Sequence, residues 1–206
     1  MRLKKFGLMA ATATIAILVG TFWFPPSSRP AAAPSAGPKI ILASKYYAVK
    51  GNTAEQIRHD LNQVRPVLPG ANRRFDGYTH WQIRWQYWYA KTPQTCRIRK
   101  ASVRADIAST LPQWQPPRYA APALIDHWNA YIVALTRHEA GHQQHGMRAS
   151  QEILATLQTL AAYPTCEQLR QAVDVASNRL IQTYAQRDVR YDRSTNHGAS
   201  QGAVFP

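Results

Sequence analysis

Acidic residues are scarce in this chain, because 11 Asp and Glu stand against 25 Lys and Arg, and the formal net charge at pH 7 is +14. The sequence has no internal repeat, which argues against solenoid architectures. It also has no run of five basic residues, the pattern typical of nucleic-acid-binding arms. We therefore interpret the positive charge mainly as a solvated surface that suits an acidic cell envelope or anionic lipid, and we expect no nucleic-acid partner.

The N-terminal segment Met1–Phe24 has the features of an export signal, since a basic start precedes the apolar run Phe6–Phe24. The run has 19 residues, which is near the roughly 20 that span a bilayer and longer than the roughly 7–15 of a cleavable signal. Residues 25–38 form a Pro/Ala-rich linker. We expect residues 39–206 to be one periplasmic domain that residues 1–24 anchor to the inner membrane. A cleaved signal peptide and secretion are the alternative.

Cysteine is nearly absent, with only Cys96 and Cys166 in the chain. Neither cysteine has a CxxC or CxxH neighbour, so the spacing argues against a cysteine zinc site. Because the domain is expected outside the cytoplasm, where disulfides persist, we predict that the two residues form a structural disulfide.

Alternating apolar residues predict the strands. Ser44–Val49 is expected to be a short strand. From Tyr78 to Tyr89 the aromatic and apolar residues fall on one face, and a second alternating segment ends at Ile107. The pattern predicts a long β-hairpin over Tyr78–Ile107 with its aromatic face buried. The prolines from Pro112 onward predict irregular structure.

Capping patterns and apolar spacing predict the helices. The Thr-x-x-Gln patterns that begin at Thr53 and Thr165 are typical of capping boxes at helix starts. The segment Ala121–Tyr163 is predicted to be helical and is long enough for two helices. The helix that begins after Thr165 is expected to lose its periodicity after Asp188, which leaves an irregular tail.

The HExxH motif at His138–His142 carries the functional hypothesis. Two histidines four positions apart share one face of a helix, so both imidazoles can point into one zinc site. Glu139 would lie beside the metal and take a proton from the attacking water. Two surface histidines on an ordinary helix are the alternative, but His138 and His142 continue an apolar stripe and should face the interior. Gly141 indicates that another segment approaches this helix closely, unless it is an exposed, tolerated glycine.

A catalytic zinc site needs a third protein ligand and an open position. His145 lies about 10 Å along the helix axis from His138, too far to share one ion. The metzincin pattern, in which a glycine turn brings in a later histidine, is absent because Gln144 and Arg148 occupy those two positions.

We predict that His197 is the third ligand, because it lies in a glycine-flanked tail that can fold back over the active-site helix. Asp192 could then orient an imidazole. A carboxylate in place of His197 stays open as an alternative, from Glu167, Asp188 or Asp192.

Several segments resemble one bacterial family, catalogued as domain of unknown function 922 and labelled a predicted secreted or periplasmic zinc-dependent protease. The resemblance rests on the HExxH helix, Leu111-Pro112-x-Trp114, the Thr165-Cys166 helix start, and the tail Tyr191-Asp192-x-x-Thr195-x-His197-Gly198-x-x-Gln201-Gly202-Ala203. It implies a metal-dependent hydrolase outside the cytoplasm.

These observations together predict an α+β, zincin-like fold in which a small antiparallel sheet packs on the HExxH helix and a C-terminal helix. The expected function is hydrolysis of a peptide or protein substrate in the cell envelope with one Zn²⁺ ion. His138, His142 and His197 would bind the ion, Glu139 would be the general base, and Tyr191 would be an oxyanion donor. An inactive zinc-binding interaction protein on the same scaffold is the alternative.

Overall fold

Three strands and three helices make up the computed structural model, which describes residues 37–67 and 74–206. In chain order the elements are β1 (Lys39–Val49), α1 (Ala54–Val64), β2 (Tyr78–Lys91), β3 (Cys96–Trp114), α2 (Pro122–Thr159), α3 (Cys166–Thr195) and a short 3-10 helix (Ala199–Gln201). The predicted α+β class is confirmed. The export segment and most of the linker lie outside the described residues. Within the described ranges, no helix is both long and apolar enough to cross a membrane.

The central strand of the sheet is β3, which pairs antiparallel with β2 and parallel with β1. The predicted hairpin is confirmed by the β2–β3 pairing. The sheet is mixed rather than wholly antiparallel, because α1 and β2 intervene between β1 and β3 and give the chain the length that a crossover needs. The first strand also begins five residues earlier than predicted, at Lys39.

One face of β2 is buried as its alternation predicts. Ile83 is buried, and Trp81, Trp85 and Tyr87 pack against the same core. Tyr89 is the exception, because it is 56% exposed and lies just beyond a break in register between Trp88 and Tyr89. Beyond an irregularity of this kind the alternation of faces is no longer kept.

The prediction that Pro112 ends regular structure was wrong, since β3 continues to Trp114 and Pro112 pairs with Tyr47 of β1. The pairing with β2 reaches only as far as Thr110. Beyond that residue β3 has a neighbour on one side only, so a proline without an N–H group is tolerated.

The helical segment after Pro122 is one helix of 38 residues, not two. Its two internal glycines do not end it, because both lie where another element touches the helix. A Cβ atom on Gly141 would lie 2.5 Å from the ring of Tyr191, and one on Gly146 would lie 2.9 Å from Trp81. The close approach predicted at Gly141 is therefore confirmed, and tertiary packing outweighs the low helix propensity of glycine.

The last helix is longer than predicted, because α3 continues past Asp188 to Thr195. Its final two turns carry few apolar residues, so they lack the apolar period on which the prediction relied. In these turns polar residues recur at helical spacing instead. Asp188, Asp192 and Thr195 lie on one face of the helix and contact α2.

Two hydrophobic cores lie along α2, one on each side of the HExxH motif. The first half of the helix, with Trp128 and Tyr131, packs with α1, β1 and the buried Phe205 near the C-terminus. The second half, with Ile153 and Leu157, packs with the sheet and α3. The motif therefore lies on a segment that is held rigidly at both ends.

The disulfide between Cys96 and Cys166 is present, as predicted, and joins the start of β3 to the start of α3. Its two cysteines are 70 residues apart, so it restricts the unfolded chain over a long loop. Replacing both cysteines by serine is expected to lower the free energy of unfolding by about 4 kcal/mol. Urea unfolding of the variant and of the reduced wild type, each compared with the oxidised wild type, measures this loss. Equal midpoints for the variant and the oxidised wild type would contradict it.

Candidate metal centre

The imidazoles of His138 and His142 converge on a single carboxylate oxygen from α3. Nε2 of His138 lies 3.2 Å and Nε2 of His142 lies 3.0 Å from Oδ1 of Asp192. One ligand atom from each of the three residues lies within 4.8 Å of the other two, so the group could hold a metal ion. Both histidines are buried, as the apolar stripe predicts, with exposed fractions of 3% and 8%.

Hydrogen bonds fix the orientation of both imidazoles. Nδ1 of His138 lies 3.0 Å from Oε1 of Gln201, and Nδ1 of His142 lies 2.8 Å from Oδ1 of Asp188. Each oxygen accepts, so Nδ1 of each ring donates. Nε2 is therefore the atom of each ring that can offer a lone pair to a metal.

Asp188 is shared by three donors. Besides His142, it accepts from Nδ1 of His145 at 2.6 Å and from the indole nitrogen of Trp81 at 2.8 Å. His142, His145 and Asp188 form a second group of suitable spacing. However, both rings present Nδ1 to the same Asp188 oxygen, which is the arrangement of a carboxylate that orients histidines.

Glu139 is buried beside the histidines and outside the three-residue group. Its exposed fraction is 3%, and its Oε2 accepts a hydrogen bond of 2.8 Å from the hydroxyl of Thr79. Burial raises the pKa of the Glu139 carboxyl above its ordinary value, although the hydrogen bond from Thr79 and the imidazoles of His142 and His138 oppose the rise. A carboxylate whose pKa is raised in this way is a better proton acceptor.

The electrostatic field at the group favours positive charge. Burial alone would lower the pKa of His142, but the hydrogen bonds to Asp188 and Asp192 outweigh it and raise this pKa to about 10. Burial would raise the pKa of Asp192, yet its hydrogen bonds with His138 and His142 hold it well below the ordinary range. The carboxylate of Asp192 thus faces both Nε2 atoms, and that of Asp188 lies on the Nδ1 side of His142, an environment that attracts a cation.

Tyr191 packs behind the histidines. Its ring stacks on His138 with centroids 4.9 Å apart and planes 11° apart. The amide nitrogen of Gln201 donates to the Tyr191 hydroxyl over 3.1 Å. Tyr191 is not among the residues that line the cleft at this site, so its role as an oxyanion donor stays a prediction. The observed contacts hold His138 in place.

His197 lies beside Asp192, at the edge of the group. Its Nδ1 is 3.7 Å from Oδ1 of Asp192, and 42% of its side chain is exposed. Three successive residues with left-handed φ angles, Asn196 (50°), His197 (51°) and Gly198 (83°), turn the chain sharply after α3. This turn brings the tail back over α2, where Gly198 packs on the ring of His138.

The other alternative ligands differ in their placement. Asp192 belongs to the three-residue group, and Asp188 contacts His142 on the side away from that group's metal-facing nitrogen. Glu167 is exposed in the first turn of α3 and is paired with Arg170. The capping segment at the start of α3 therefore accounts for Glu167 without a metal.

A cleft of about 510 Å³ opens beside the group. Its walls come from α2, from α3 and from the chain that enters β2, so substrate-sized molecules can reach Glu139 and both histidines. The residues that line it are Arg65, Arg74, Phe75, Asp76, Gly77, Tyr78, Thr79, His80, Trp81, Leu135, His138, Glu139, His142, Ala185, Asp188, Val189, Asp192, His197 and Ala203.

Thr79 and Gln201 contact the site residues but were given no role from the sequence. Gln201 belongs to the quoted tail pattern, which was a signal for it. Thr79 lies on the same face of β2 as Trp81 and Ile83, but no local pattern connects it with a glutamate 60 residues later.

The fold and site define an α+β domain in which a helical HExxH motif and a second helix build a potential metal-binding His/Asp group. The chain belongs to a bacterial family described as "Bacterial protein of unknown function (DUF922)", whose pattern matches residues 44–198. No curated protein and no solved structure matches the chain.

Proposed function

We propose that the protein is a zinc-dependent peptide hydrolase that acts outside the cytoplasm. The observation that carries the proposal is the convergence of two imidazole nitrogens and a carboxylate oxygen next to a buried glutamate that is not part of the group. A purely structural metal site needs no such glutamate. Burial of the Glu139 carboxylate costs free energy. A role in proton transfer at the cleft explains why a carboxylate occupies this position.

Zinc suits the donor set, because two histidine nitrogens with one carboxylate oxygen are ligands found in catalytic zinc sites. His138 and His142 are the first two ligands, and the third comes from the pair Asp192 and His197. Asp192 has the shorter distances to the Nε2 atoms. When bound, zinc supplies Lewis acidity that polarises a carbonyl and acidifies a water molecule.

The remaining roles follow from contacts of the protein itself. Glu139 accepts the proton of the attacking water and later delivers it to the leaving amine. Thr79 fixes the carboxylate through its hydroxyl, and Gly77 allows the chain entering β2 to lie against it, since a Cβ there would be 3.2 Å from Oε1 of Glu139. Gln201 and Asp188 keep the two imidazoles in one tautomer.

The disulfide supports an oxidising compartment. Together with the predicted export segment it favours the periplasm, with the domain anchored to the inner membrane or secreted. A peptide or protein of the cell envelope is the proposed substrate.

Metal analysis and peptide cleavage test the proposal together. Purified full-length protein is expected to contain about one zinc per chain, to cleave members of a mixed peptide library, to lose activity with a chelator, and to regain it with added zinc. Mass spectrometry of the digests identifies the cleaved bonds. Stoichiometric zinc without cleavage of any peptide would favour the inactive zinc-binding protein, and absence of zinc would contradict both.

Asp188→Asn is expected to weaken zinc binding by roughly 10–100-fold, as changes beside metal ligands do. The amide cannot accept from His142, His145 and Trp81 as the carboxylate does, so the His142 ring loses its fixed tautomer. A competition titration with a chromogenic chelator measures the affinity. Asp174→Asn, a half-exposed aspartate of the same helix outside the cleft, is the matched control, and equal affinities of the two variants would exclude the orienting role.

A further inference from the structure

The end of the cleft nearest α1 is strongly basic. The carboxylate of Asp76 forms salt bridges with two guanidinium groups, those of Arg58 and Arg65, and a third, that of Arg74, lines the same cleft. Burial would raise the pKa of Asp76, but its hydrogen bond from Arg58 and the charges around it keep this pKa low, so the carboxylate is ionised. It can neutralise only one of the three cations.

Arg58 forms the closest salt bridge with the Asp76 carboxylate. Its two terminal nitrogens donate to the two oxygens of Asp76 at 2.9 and 2.8 Å. The hydroxyl of Tyr131 donates to the same carboxylate at 2.9 Å, and Tyr47 donates to the Asp76 backbone carbonyl at 2.6 Å. Arg58, Asp76 and the two tyrosines therefore form a structural unit that needs no further cation.

Arg65 has only a long salt bridge to Asp76, and Arg74 has no salt bridge within the described residues. Arg65 reaches Asp76 only at 3.5 Å, and its Nε, like that of Arg58, is buried with no hydrogen-bond partner in the described part of the chain. Nη1 of Arg74 donates to the backbone carbonyls of Gln63 and Arg65 at 2.8 and 3.2 Å. Within residues 37–67 and 74–206, which contain all the Asp and Glu of the chain, Arg74 forms no salt bridge. Both arginines line the cleft.

The basic end lies next to the His/Asp group. Phe75, which follows Arg74, contacts His197 with ring centroids 4.9 Å apart. His197 in turn lies against Asp192. Both arginines line the same cleft as the proposed metal ligands, so a ligand that occupies the cleft can contact both ends.

We propose that Arg65 and Arg74 bind a carboxylate of the peptide substrate and give this cleft a preference for acidic peptides. The inference rests on the proposed function for its substrate class. A guanidinium group offers two parallel N–H donors that match a carboxylate, which an ammonium group does not. The carboxylate belongs either to an Asp or Glu side chain or to the C-terminus of the substrate, and the second case would make the protein a carboxypeptidase.

Peptide binding separates this inference from hydrolysis. Full-length protein with Glu139→Gln, which leaves the arginines intact, is dialysed against three pools of random N-acetylated heptapeptides at about 0.15 M salt, where long-range attraction is screened. One pool contains glutamate and an amidated C-terminus, the second contains glutamine and a free C-terminus, and the third contains glutamine and an amidated C-terminus. Mass spectrometry quantifies the peptides that the protein retains.

One of the first two pools is expected to be retained about tenfold better than the third, as a charge-assisted hydrogen bond predicts. The pool that is retained identifies the source of the carboxylate. Adding Arg65→Gln and Arg74→Gln should remove the preference, and Arg99→Gln, which removes an exposed arginine outside the cleft, should keep it. Arg65→Lys with Arg74→Lys preserves the charge and should keep part of the preference, which separates loss of binding from loss of folding.

Equal retention of all three pools, or a preference that survives both glutamine substitutions, would overturn the inference. Cleavage by the wild type is measured separately on the same pools. A protein that prefers acidic peptides but cleaves none would contradict the proposed hydrolysis and leave the carboxylate site standing.

Discussion

Glu139→Gln is expected to abolish peptide hydrolysis while zinc remains bound at the wild-type stoichiometry. Glutamine has the shape of glutamate and can still accept from Thr79, so the buried position stays filled. It cannot accept the proton of the attacking water, and loss of a general base costs roughly 10²–10⁴-fold in rate. Because Glu139 lies outside the three-residue group, metal binding should be preserved.

The measurement pairs zinc content with the rate of cleavage of one peptide from the mixed library. Glu152→Gln is the matched control, since it removes the same charge from an exposed position on the same helix, and it should retain full activity. Wild-type turnover by Glu139→Gln would exclude the proposed mechanism. Loss of both zinc and activity would show that Glu139 belongs to the metal site.

Local sequence patterns predicted the parts of the molecule that depend on neighbours in the chain. The cap at Thr53 accepts from the backbone N–H of Gln56, and the cap at Thr165 does the same with Gln168. The HExxH spacing placed His138 and His142 on one buried face because helix geometry alone determines that relation.

The parts that depend on distant contacts were harder to predict. The end of α3 was missed because Asp188 and Asp192 were judged by the absence of apolar residues around them. Their spacing of four is itself helical, and it matches the spacing of the two histidines that they contact on α2. Two facing helices with complementary polar residues at the same period would have predicted this pairing.

The sheet shows the same division. Alternation in β2 and β3 predicted their antiparallel pairing, since a hairpin is a local structure. The parallel pairing of β1 with β3 joins residues about 65 positions apart, such as Lys39 and Arg104, and no short-range pattern specifies it. Pro112 shows the converse error, because a local rule about proline fails where a strand has lost one neighbour.

Asp192→Asn is expected to lose zinc almost completely, while His197→Gln is expected to lose much less. Oδ1 of Asp192 lies 3.0–3.2 Å from both histidine Nε2 atoms. Its negative charge and its position therefore allow it to bind the same ion as the two histidines. His197 contacts the same oxygen only at 3.7 Å and is partly exposed. The loss in Asp192→Asn should exceed the roughly 10–100-fold that changes outside the ligand shell cause.

Zinc affinities of the two variants, measured by chelator competition, decide between the carboxylate and the histidine as third ligand. His59→Gln, an exposed histidine of α1, controls for nonspecific zinc binding, and the disulfide-intact fold of each variant is checked by circular dichroism. If His197→Gln loses the metal and Asp192→Asn keeps it, the ligand set predicted from the sequence is correct and the tail histidine completes the site. If both variants lose zinc to the same extent, both side chains are ligands, and the ion has four protein ligands rather than the three of an open catalytic site.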